Sequence, residues 1–319
     1  MARWSATGFA EPTPSPGTRV SARPAVQSLI ISLRPRQWTK NLIVLAGLLF
    51  GQQLTDPRAV ARAVAALVVF CALSGAVYLI NDVLDREADR QHPIKARRPV
   101  ASGDLSVAAA VWTAVALAAG GLLSAYALGL WFGHVALAYV LLQALYDGPL
   151  KHLVIIDVLT IALGFVLRAV AGAVVIGAPI SHWLLVLTIL LALFLALSKR
   201  RHEIVLLADQ ASAHRASLGE YSAELLDQLT SIVAASTLIA YAIYTISPET
   251  VAKFDTDLLG LTLPFPIYGI FRYLYLVHRK VDGGSPADTL LTDRPLLICV
   301  ALWGLAVMAI IYWRPFSGS

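Results

Sequence analysis

The stretch that decides the fold reads VARAVAALVVFCALSGAVYLI from Val60 to Ile80 and continues as NDVLDREAD from Asn81 to Asp89. The first part is apolar and long enough to cross a bilayer as a helix. In the second part, Asn81, Asp85 and Asp89 recur at i, i+4 and i+8. If the helix continues through them, they stack on one face over about 12 Å at the membrane boundary.

Asp82 adds a fourth oxygen-bearing side chain at the same place, and such carboxylates repel one another unless a cation lies between them. Mg²⁺ is the simplest candidate, because it is held by a few carboxylates together with the oxygens of a phosphorylated substrate. An ordinary acidic cluster at a helix end is the alternative. We favour a diphosphate site with Mg²⁺ bound by Asn81, Asp82, Asp85 and Asp89, the three aspartates being catalytic.

The composition predicts an all-α polytopic membrane protein. Of 319 residues, 58% are hydrophobic and only 14% are charged, and the mean hydropathy is +0.70. Both cysteines, Cys71 and Cys299, fall within apolar segments, so a disulfide framework is not indicated. Nine transmembrane helices are predicted, at about 40–54, 60–81, 106–128, 130–146, 153–177, 183–199, 228–247, 258–277 and 290–313.

The basic residues set the predicted orientation. With the N-terminus in the cytoplasm, nearly all Lys and Arg lie in cytoplasmic segments. The exceptions are Arg58, Arg62, Lys253 and Arg314 outside, and Arg168 within a helix. The sequence thus predicts a multi-pass protein of the plasma (inner) membrane with its C-terminus outside and its acidic motif facing the cytoplasm. Dispersal of the basic residues over short loops argues against a nucleic-acid partner.

The chain reads as a disordered N-terminal tail, residues 1–24, followed by one transmembrane catalytic domain, 25–319. The tail is rich in Pro, Ser, Thr and Arg and has no apolar run. Residues 25–38 carry apolar residues at helical spacing ahead of basic ones, which predicts a short interfacial helix. The oligomeric state stays open, and a homo-oligomer is compatible with the sequence.

Basic residues in the cytoplasmic segments are candidates for binding phosphate, because a diphosphate needs Arg or Lys on the side away from the metal. Topology alone could also explain most of them. The candidates for substrate binding, together with Asn81, are Lys40, Lys95, Arg98, Tyr146, Lys151, Lys199, Arg200, Arg201 and Arg272.

Asp157 is the sharpest candidate outside the first motif, because an ionisable group inside a span is a functional-site candidate by default. We assign it a catalytic role, with an interhelical salt bridge as the alternative. Arg168 falls on the same helix face, about 16 Å further along the axis, and could equally be structural. No HxxxH or HExxH pattern, nucleophile elbow or Walker loop is present.

Asn81-Asp82-xx-Asp85-xxx-Asp89, followed by Arg98-Pro99-xx-Ser102-Gly103, resembles the first signature of the UbiA superfamily of intramembrane prenyltransferases. The resemblance runs from about residue 30 to the C-terminus. It implies nine helices around a central cavity, with the first motif binding Mg²⁺ and diphosphate and a second acidic motif completing the site.

The second motif departs from the usual DxxxD form: here Tyr146-Asp147 and Lys151 precede Asp157-Val158. This variant, with the 198–203 segment SKRRHE, is similar to the phosphoribosyltransferase branch of the superfamily. That likeness implies transfer of 5-phosphoribose from phosphoribosyl diphosphate to a polyprenyl (decaprenyl) phosphate in the bilayer, for the arabinan of actinobacterial cell walls. The alternatives are a prenyltransferase with a prenyl-diphosphate donor and an aromatic acceptor, and a membrane transporter.

Overall fold

The computed structural model describes residues 24–92, 95–207, 220–279, 289 and 292–312. Within these ranges the regular elements are α-helices and 3-10 helices, as the sequence predicted. The α-helices are α1 Ala25–Ser32, α2 Ala46–Phe50, α3 Pro57–Leu84, α4 Arg86–Gln91, α5 Pro99–Ser102, α6 Val107–Leu128, α7 Leu130–Asp147, α8 Ile156–Val175, α9 His182–Leu207, α10 Ala223–Ile246, α11 Pro248–Phe254, α12 Pro264–Arg279 and α13 Arg294–Tyr312. The 3-10 helices are Pro35–Leu45, Lys95–Arg97, Leu150–His152 and Leu258–Thr262. The predicted disordered tail lies outside the described residues apart from Pro24.

Helix starts follow local capping chemistry. The Asp56 side chain accepts a hydrogen bond from the backbone N–H of Arg58, with Pro57 in the first turn of α3. Ser106 and Ser222 cap α6 and α10 in the same way. These caps satisfy backbone donors that would otherwise lie unpaired at the ends of long apolar helices.

Six of the described helices are long and apolar enough to cross a membrane: α3, α6, α8, α9, α10 and α13. The three other predicted spans are built differently. The 130–146 span is the helix α7, whereas 258–277 is divided between a 3-10 helix and α12. Nine membrane crossings and the orientation of the termini therefore stay predictions.

The predicted first span, 40–54, is not an α-helix along its length. In the segment predicted as an interfacial helix, α1 ends at Ser32 rather than at residue 38, and the 3-10 helix Pro35–Leu45 then leads into α2. The interfacial position of α1 stays a prediction. A 3-10 helix rises about 2.0 Å per residue and an α-helix about 1.5 Å, so residues 35–50 can extend over about 30 Å. Hydropathy alone does not distinguish these two helical forms.

Small residues let this segment approach α8 closely. A Cβ added to Gly172 would lie 1.9 Å from the carbonyl oxygen of Val44, and one added to Gly47 would lie 2.9 Å from that of Gly172. Close approach through glycine is typical of helix packing in membranes. The contact places the residues around Asn41 against the middle of α8 and against α3, at one side of a large internal cavity.

Candidate active site

A cavity of about 1720 Å³ runs through the helices from the first acidic motif to the other end of the molecule. Asn81, Asp85 and Asp89 line one end, and Glu249 and Lys253 line the other. The volume exceeds the roughly 300–1,000 Å³ of an ordinary small-molecule pocket. The cavity is large enough for a polar substrate and a lipid chain together.

The first motif keeps helical register across a local break. α3 ends at Leu84 and α4 begins at Arg86, but the N–H of Asp85 still donates to Asn81 (2.9 Å) and that of Asp89 to Asp85 (2.8 Å). Asn81, Asp85 and Asp89 therefore all face the cavity, as their spacing predicted.

Both cavity-lining aspartates of the motif are paired through one oxygen only. Lys151 Nζ lies 3.2 Å from Asp85 Oδ1, and Arg98 Nη1 lies 2.6 Å from Asp89 Oδ2. Asn81 Nδ2 donates to Asp147 Oδ1 at 2.9 Å, which joins the first motif to the loop after α7. Each motif carboxylate keeps one oxygen that accepts no hydrogen bond from the described residues.

Asp82 does not line the cavity. Its side chain is buried and forms ion pairs with Arg34 and with Arg98 (3.3 Å). Arg34 itself has a left-handed backbone, φ 51°, and stacks over the Tyr78 ring at 4.9 Å. The geometry fits Asp82 as a residue that orients the two arginines more closely than as a metal ligand.

Most of the predicted phosphate-binding residues do reach the cavity. Those that line it are Lys40, Lys95, Arg98, Tyr146, Lys151 and Lys199, and Arg34 joins them. Burial lowers the pKa of Lys95 below its ordinary value, and the nearby positive charge of Arg98 lowers it further. Together, these basic side chains place positive charge along the part of the cavity that contains the motif carboxylates.

Asp157 is fully buried in the first turn of α8 and does not line the cavity. Its Oδ2 accepts a hydrogen bond from Arg200 Nε (2.8 Å), and its Oδ1 accepts one from the Tyr221 hydroxyl (2.9 Å). Burial raises the pKa of Tyr221 to about 12, so the phenol stays protonated and donates. Tyr221 also accepts from the N–H of Ile155, whose φ of 68° is strained for a β-branched residue.

Arg200, Arg201 and Arg272 are likewise placed away from the cavity. Arg200 is buried and extends from Asp157 to Glu203 (2.5 Å) and to the Tyr146 hydroxyl (3.1 Å). Arg201 pairs with Asp227 on α10, and Arg272 pairs with Asp293 at 2.9 Å. Within the described part of the chain, Arg200 alone of these three hydrogen-bonds to residues that line the cavity, Glu203 and Tyr146.

The cavity or near-cavity residues that were missed as site candidates include Asn41, Tyr139, Gln143 and Glu203. Asn41 and Tyr139 are fully buried and hydrogen-bond to Arg168, which does line the cavity. A polar residue inside an apolar segment is the one sequence signal that could have marked Asn41 and Gln143. Glu203 ends the 198–203 segment, whose mostly basic residues predict phosphate binding and gave no separate signal for this carboxylate.

The donor set fits Mg²⁺ bound together with a substrate. Among the residues that the structure describes, no three His, Cys, Asp or Glu side chains form a ready metal cluster. Mg²⁺ does not require one, because it usually keeps one or two carboxylates and takes its other oxygens from water and substrate phosphates. Asp85 and Asp89, each with one oxygen to spare, and the Asn81 amide supply that set.

Comparison with known proteins identifies the family. The UbiA prenyltransferase family model matches residues 41–290. Decaprenyl-phosphate phosphoribosyltransferase of Corynebacterium glutamicum is 35% identical over 90% of this chain and 87% of its own length. The enzyme of the same name from Mycolicibacterium smegmatis is 33% identical over 95% of this chain and 97% of its own length.

A solved structure supports the fold. The UbiA homologue from Archaeoglobus fulgidus bound to DMAPP and Mg²⁺ superposes with a TM-score of 0.68 over 90% of this chain and all of that one, at 22% identity. The family match covers most of the chain, and the two bacterial relatives are similar over nearly their whole lengths. The chain therefore belongs to the UbiA prenyltransferase family and is a multi-pass membrane transferase of that family.

Proposed function

We propose that the chain transfers 5-phosphoribose from phosphoribosyl diphosphate to a polyprenyl phosphate, decaprenyl phosphate in its relatives, and releases diphosphate. The product would be a lipid-linked phosphoribose for cell-wall arabinan synthesis. Support comes from the relatives' names and from the charge of the cavity.

The excess of positive charge along the cavity carries the proposal. Apart from Glu249 and Lys253 at the far end, the acidic lining residues are Asp85, Asp89, Asp147 and Glu203. The basic lining residues are Arg34, Lys40, Lys95, Arg98, Lys151, Arg168 and Lys199. The proposed donor carries a diphosphate and a separate 5-phosphate, and the acceptor carries a third phosphate group. A prenyl diphosphate with an aromatic acceptor brings only one of these groups.

The rest of the cavity suits the lipid. Beyond Arg168 the wall becomes apolar and aromatic, with Trp183, Tyr241, Tyr244 and Trp303 among its residues. A polyprenyl chain could lie there with its phosphate toward the motif. The same wall also suits a prenyl-diphosphate donor, so prenyl transfer to an aromatic acceptor remains the second candidate. The transporter alternative is dropped, because the chain belongs to a family of transferases.

In the proposed mechanism Asn81, Asp85 and Asp89 hold the metal–diphosphate end of the donor. Bound there, Mg²⁺ would neutralise negative charge that develops on the leaving diphosphate. Arg98 and Lys151, already beside these carboxylates, bind the phosphate oxygens that remain. The C1–O bond of ribose breaks toward diphosphate as a phosphate oxygen of the acceptor bonds to C1 from the opposite face. The acceptor is an anion at neutral pH, so no strong general base is required.

Asp82 and Asp157 enter this proposal as positioning residues. Asp82 orients Arg98, and Asp157 acts through Arg200 on Tyr146 and Glu203. We further propose that the motif end of the cavity faces the cytoplasm, on the strength of the basic residues around it. Phosphoribosyl diphosphate, a soluble metabolite, would then enter from the cytoplasm, and the lipid from the bilayer.

A donor-choice assay tests the proposal. Purified protein with Mg²⁺ is given labelled phosphoribosyl diphosphate or labelled geranylgeranyl diphosphate, each with decaprenyl phosphate or an aromatic acceptor. We expect label in the lipid fraction only with phosphoribosyl diphosphate and decaprenyl phosphate. Arg98→Gln should abolish it, whereas Arg58→Gln, an exposed change outside the cavity lining, should not. Label transferred only from the prenyl donor would replace the proposal with its rival.

A further inference from the structure

Arg168 is a buried cation in the middle of α8 and lines the cavity. Its side chain makes three hydrogen bonds: Nε to Asn41 Oδ1 (2.8 Å), Nη1 to the Gly164 carbonyl (3.0 Å) and Nη2 to the Tyr139 hydroxyl (2.7 Å). The guanidinium also lies over the Tyr139 ring (4.5 Å) and the Phe165 ring (5.3 Å). All of these partners are neutral.

Among the described residues, the positive charge of Arg168 thus has no negative partner. The ion pairs found among the described residues do not include Arg168, whereas Arg34, Arg98, Lys151 and Arg200 each face a carboxylate. A buried charge is costly when it is solvated only by dipoles, and such charges are usually paired. An arginine has five N–H donors, so one N–H on each terminal nitrogen still lacks an acceptor within the described part of the chain.

The neutral partners are themselves fixed in orientation. Asn41 Nδ2 donates to Ser74 Oγ (3.1 Å) and lies 3.4 Å from Cys71 Sγ, so the other atom of its amide, Oδ1, faces Arg168. The Tyr139 hydroxyl accepts from Arg168 and from Gln143 Nε2 (3.4 Å). The guanidinium is therefore held rigidly before any ligand arrives, which lowers the entropy cost of binding one.

Arg168 lies deeper in the cavity than the end that is proposed to bind the diphosphate. Tyr139 and Asp147 both lie on α7, eight residues apart, which is about 12 Å along the helix. Asn81 of the motif hydrogen-bonds to Asp147, whereas Arg168 hydrogen-bonds to Tyr139. Arg168 therefore lies well away from the motif carboxylates along the cavity. A diphosphate held at Asp85 and Asp89 would leave Arg168 for another anionic group.

We infer that Arg168, held by Asn41 and Tyr139, is a binding site for a phosphate monoester within the membrane-embedded part of the cavity. The inference rests on the proposed function, which supplies two such groups: the 5-phosphate of the donor and the phosphate of the lipid acceptor. Planar guanidinium groups with two free N–H donors suit phosphate oxygens. Arg168 would be a specificity residue, since a prenyl donor and an aromatic acceptor carry no phosphate monoester.

Equilibrium binding to the purified protein tests the inference and separates the two sources. The probes are ribose 5-phosphate, which has the donor's monoester without its diphosphate, and farnesyl phosphate, which has the acceptor's monoester on a short lipid. Farnesol and ribose, which lack phosphate, serve as blanks. We expect Arg168→Gln to weaken one of the two phosphate probes by about tenfold or more. Arg168→Lys keeps the positive charge but loses the planar pair of N–H donors, so its affinity for that probe should lie between those of wild type and Arg168→Gln. Arg58→Gln should bind both probes as wild type does.

Steady-state kinetics complete the test. The KM for the substrate that carries the affected phosphate should rise in Arg168→Lys, while the KM for the other substrate changes little. If Arg168→Gln does not fold, two measurements decide the test: the KM values of Arg168→Lys and the binding of the probes to the wild-type protein. Unchanged binding of both probes in folded variants, or an equal loss for both probes and the blanks, would overturn the inference. Wild-type protein that transfers no phosphoribose would instead refute the proposed function, whatever the probes show.

Discussion

Asp157→Asn is the change with the most sharply defined outcome. The substitution keeps the shape of the side chain and removes the charge that faces Arg200 at 2.8 Å, where both side chains are almost wholly buried. Breaking a buried ion pair by removing one partner costs about 3–5 kcal/mol. Glu203 would still face Arg200 at 2.5 Å, so we expect the low end, about 3 kcal/mol, which is roughly a hundredfold in the folded-to-unfolded ratio.

Thermal unfolding of the detergent-solubilised protein, with turnover measured per folded molecule, distinguishes stability from chemistry. We expect the Tm of Asp157→Asn to fall clearly, while turnover of the folded fraction falls less than about tenfold. Among the described residues, Asp157 is connected to the cavity lining through Arg200 rather than directly. Asp257→Asn, an exposed carboxylate in none of the ion pairs of the described residues, is the matched control. A double variant with Arg200→Gln should lose less stability than the sum of the two single changes.

The opposite pattern would refute this account of Asp157. If the variant unfolds at the wild-type temperature and yet loses a hundredfold or more in turnover, the carboxylate acts directly in the reaction. Additive losses in the double variant would show that the contact between the two side chains does not stabilise the fold.

The remaining predictions concern the proposed metal ligands, Lys95 and the hydrogen bonds of Arg62 to two helix ends. Asp85→Asn and Asp89→Asn should each lower turnover by about 10²-fold and raise the Mg²⁺ concentration needed for half-maximal rate; an unchanged Mg²⁺ requirement in both would contradict a metal role. Because the pKa of Lys95 is lowered, its charge is lost at a lower pH than that of an exposed lysine. Lys95→Arg, which stays charged, should therefore move the alkaline fall in kcat/KM to higher pH, and an unmoved profile would remove Lys95 from substrate binding. Arg62 donates to the carbonyls of Val175 (2.6 Å) and Leu128 (2.5 Å) at the ends of α8 and α6, so Arg62→Gln should lower Tm, whereas Arg58→Gln should not.

The first motif could be predicted because its information is local. A period of four residues in Asn81, Asp85 and Asp89 fixes a shared helix face whatever the helix packs against. Likewise, the apolar length of α3, α6, α8, α9, α10 and α13 predicts spans directly. The spacing could not show that Asp82, one residue from Asn81, turns away from the cavity toward Arg34 and Arg98.

Long-range contacts account for what was missed. Asn41 meets Arg168 across 127 positions of sequence, and Asp157 meets Arg200 across 43. Nothing near Asp157 in the chain tells whether its intramembrane charge is neutralised by a metal or by an arginine, and the structure favours the arginine. The 3-10 helix at 35–45 was missed for a different reason: its apolar content resembles that of a short α-helix, and its close packing against Gly172 is a long-range contact.

Tracing the atoms of a doubly labelled donor tests the central claim most directly. Phosphoribosyl diphosphate labelled with ¹⁴C in ribose and ³²P in the β-phosphate is incubated with the purified protein, Mg²⁺ and decaprenyl phosphate. If the cavity transfers phosphoribose, ¹⁴C enters the organic phase and an equal amount of ³²P is released as diphosphate in water. Entry of ³²P into the lipid, or release of diphosphate without ¹⁴C in the lipid, would contradict it.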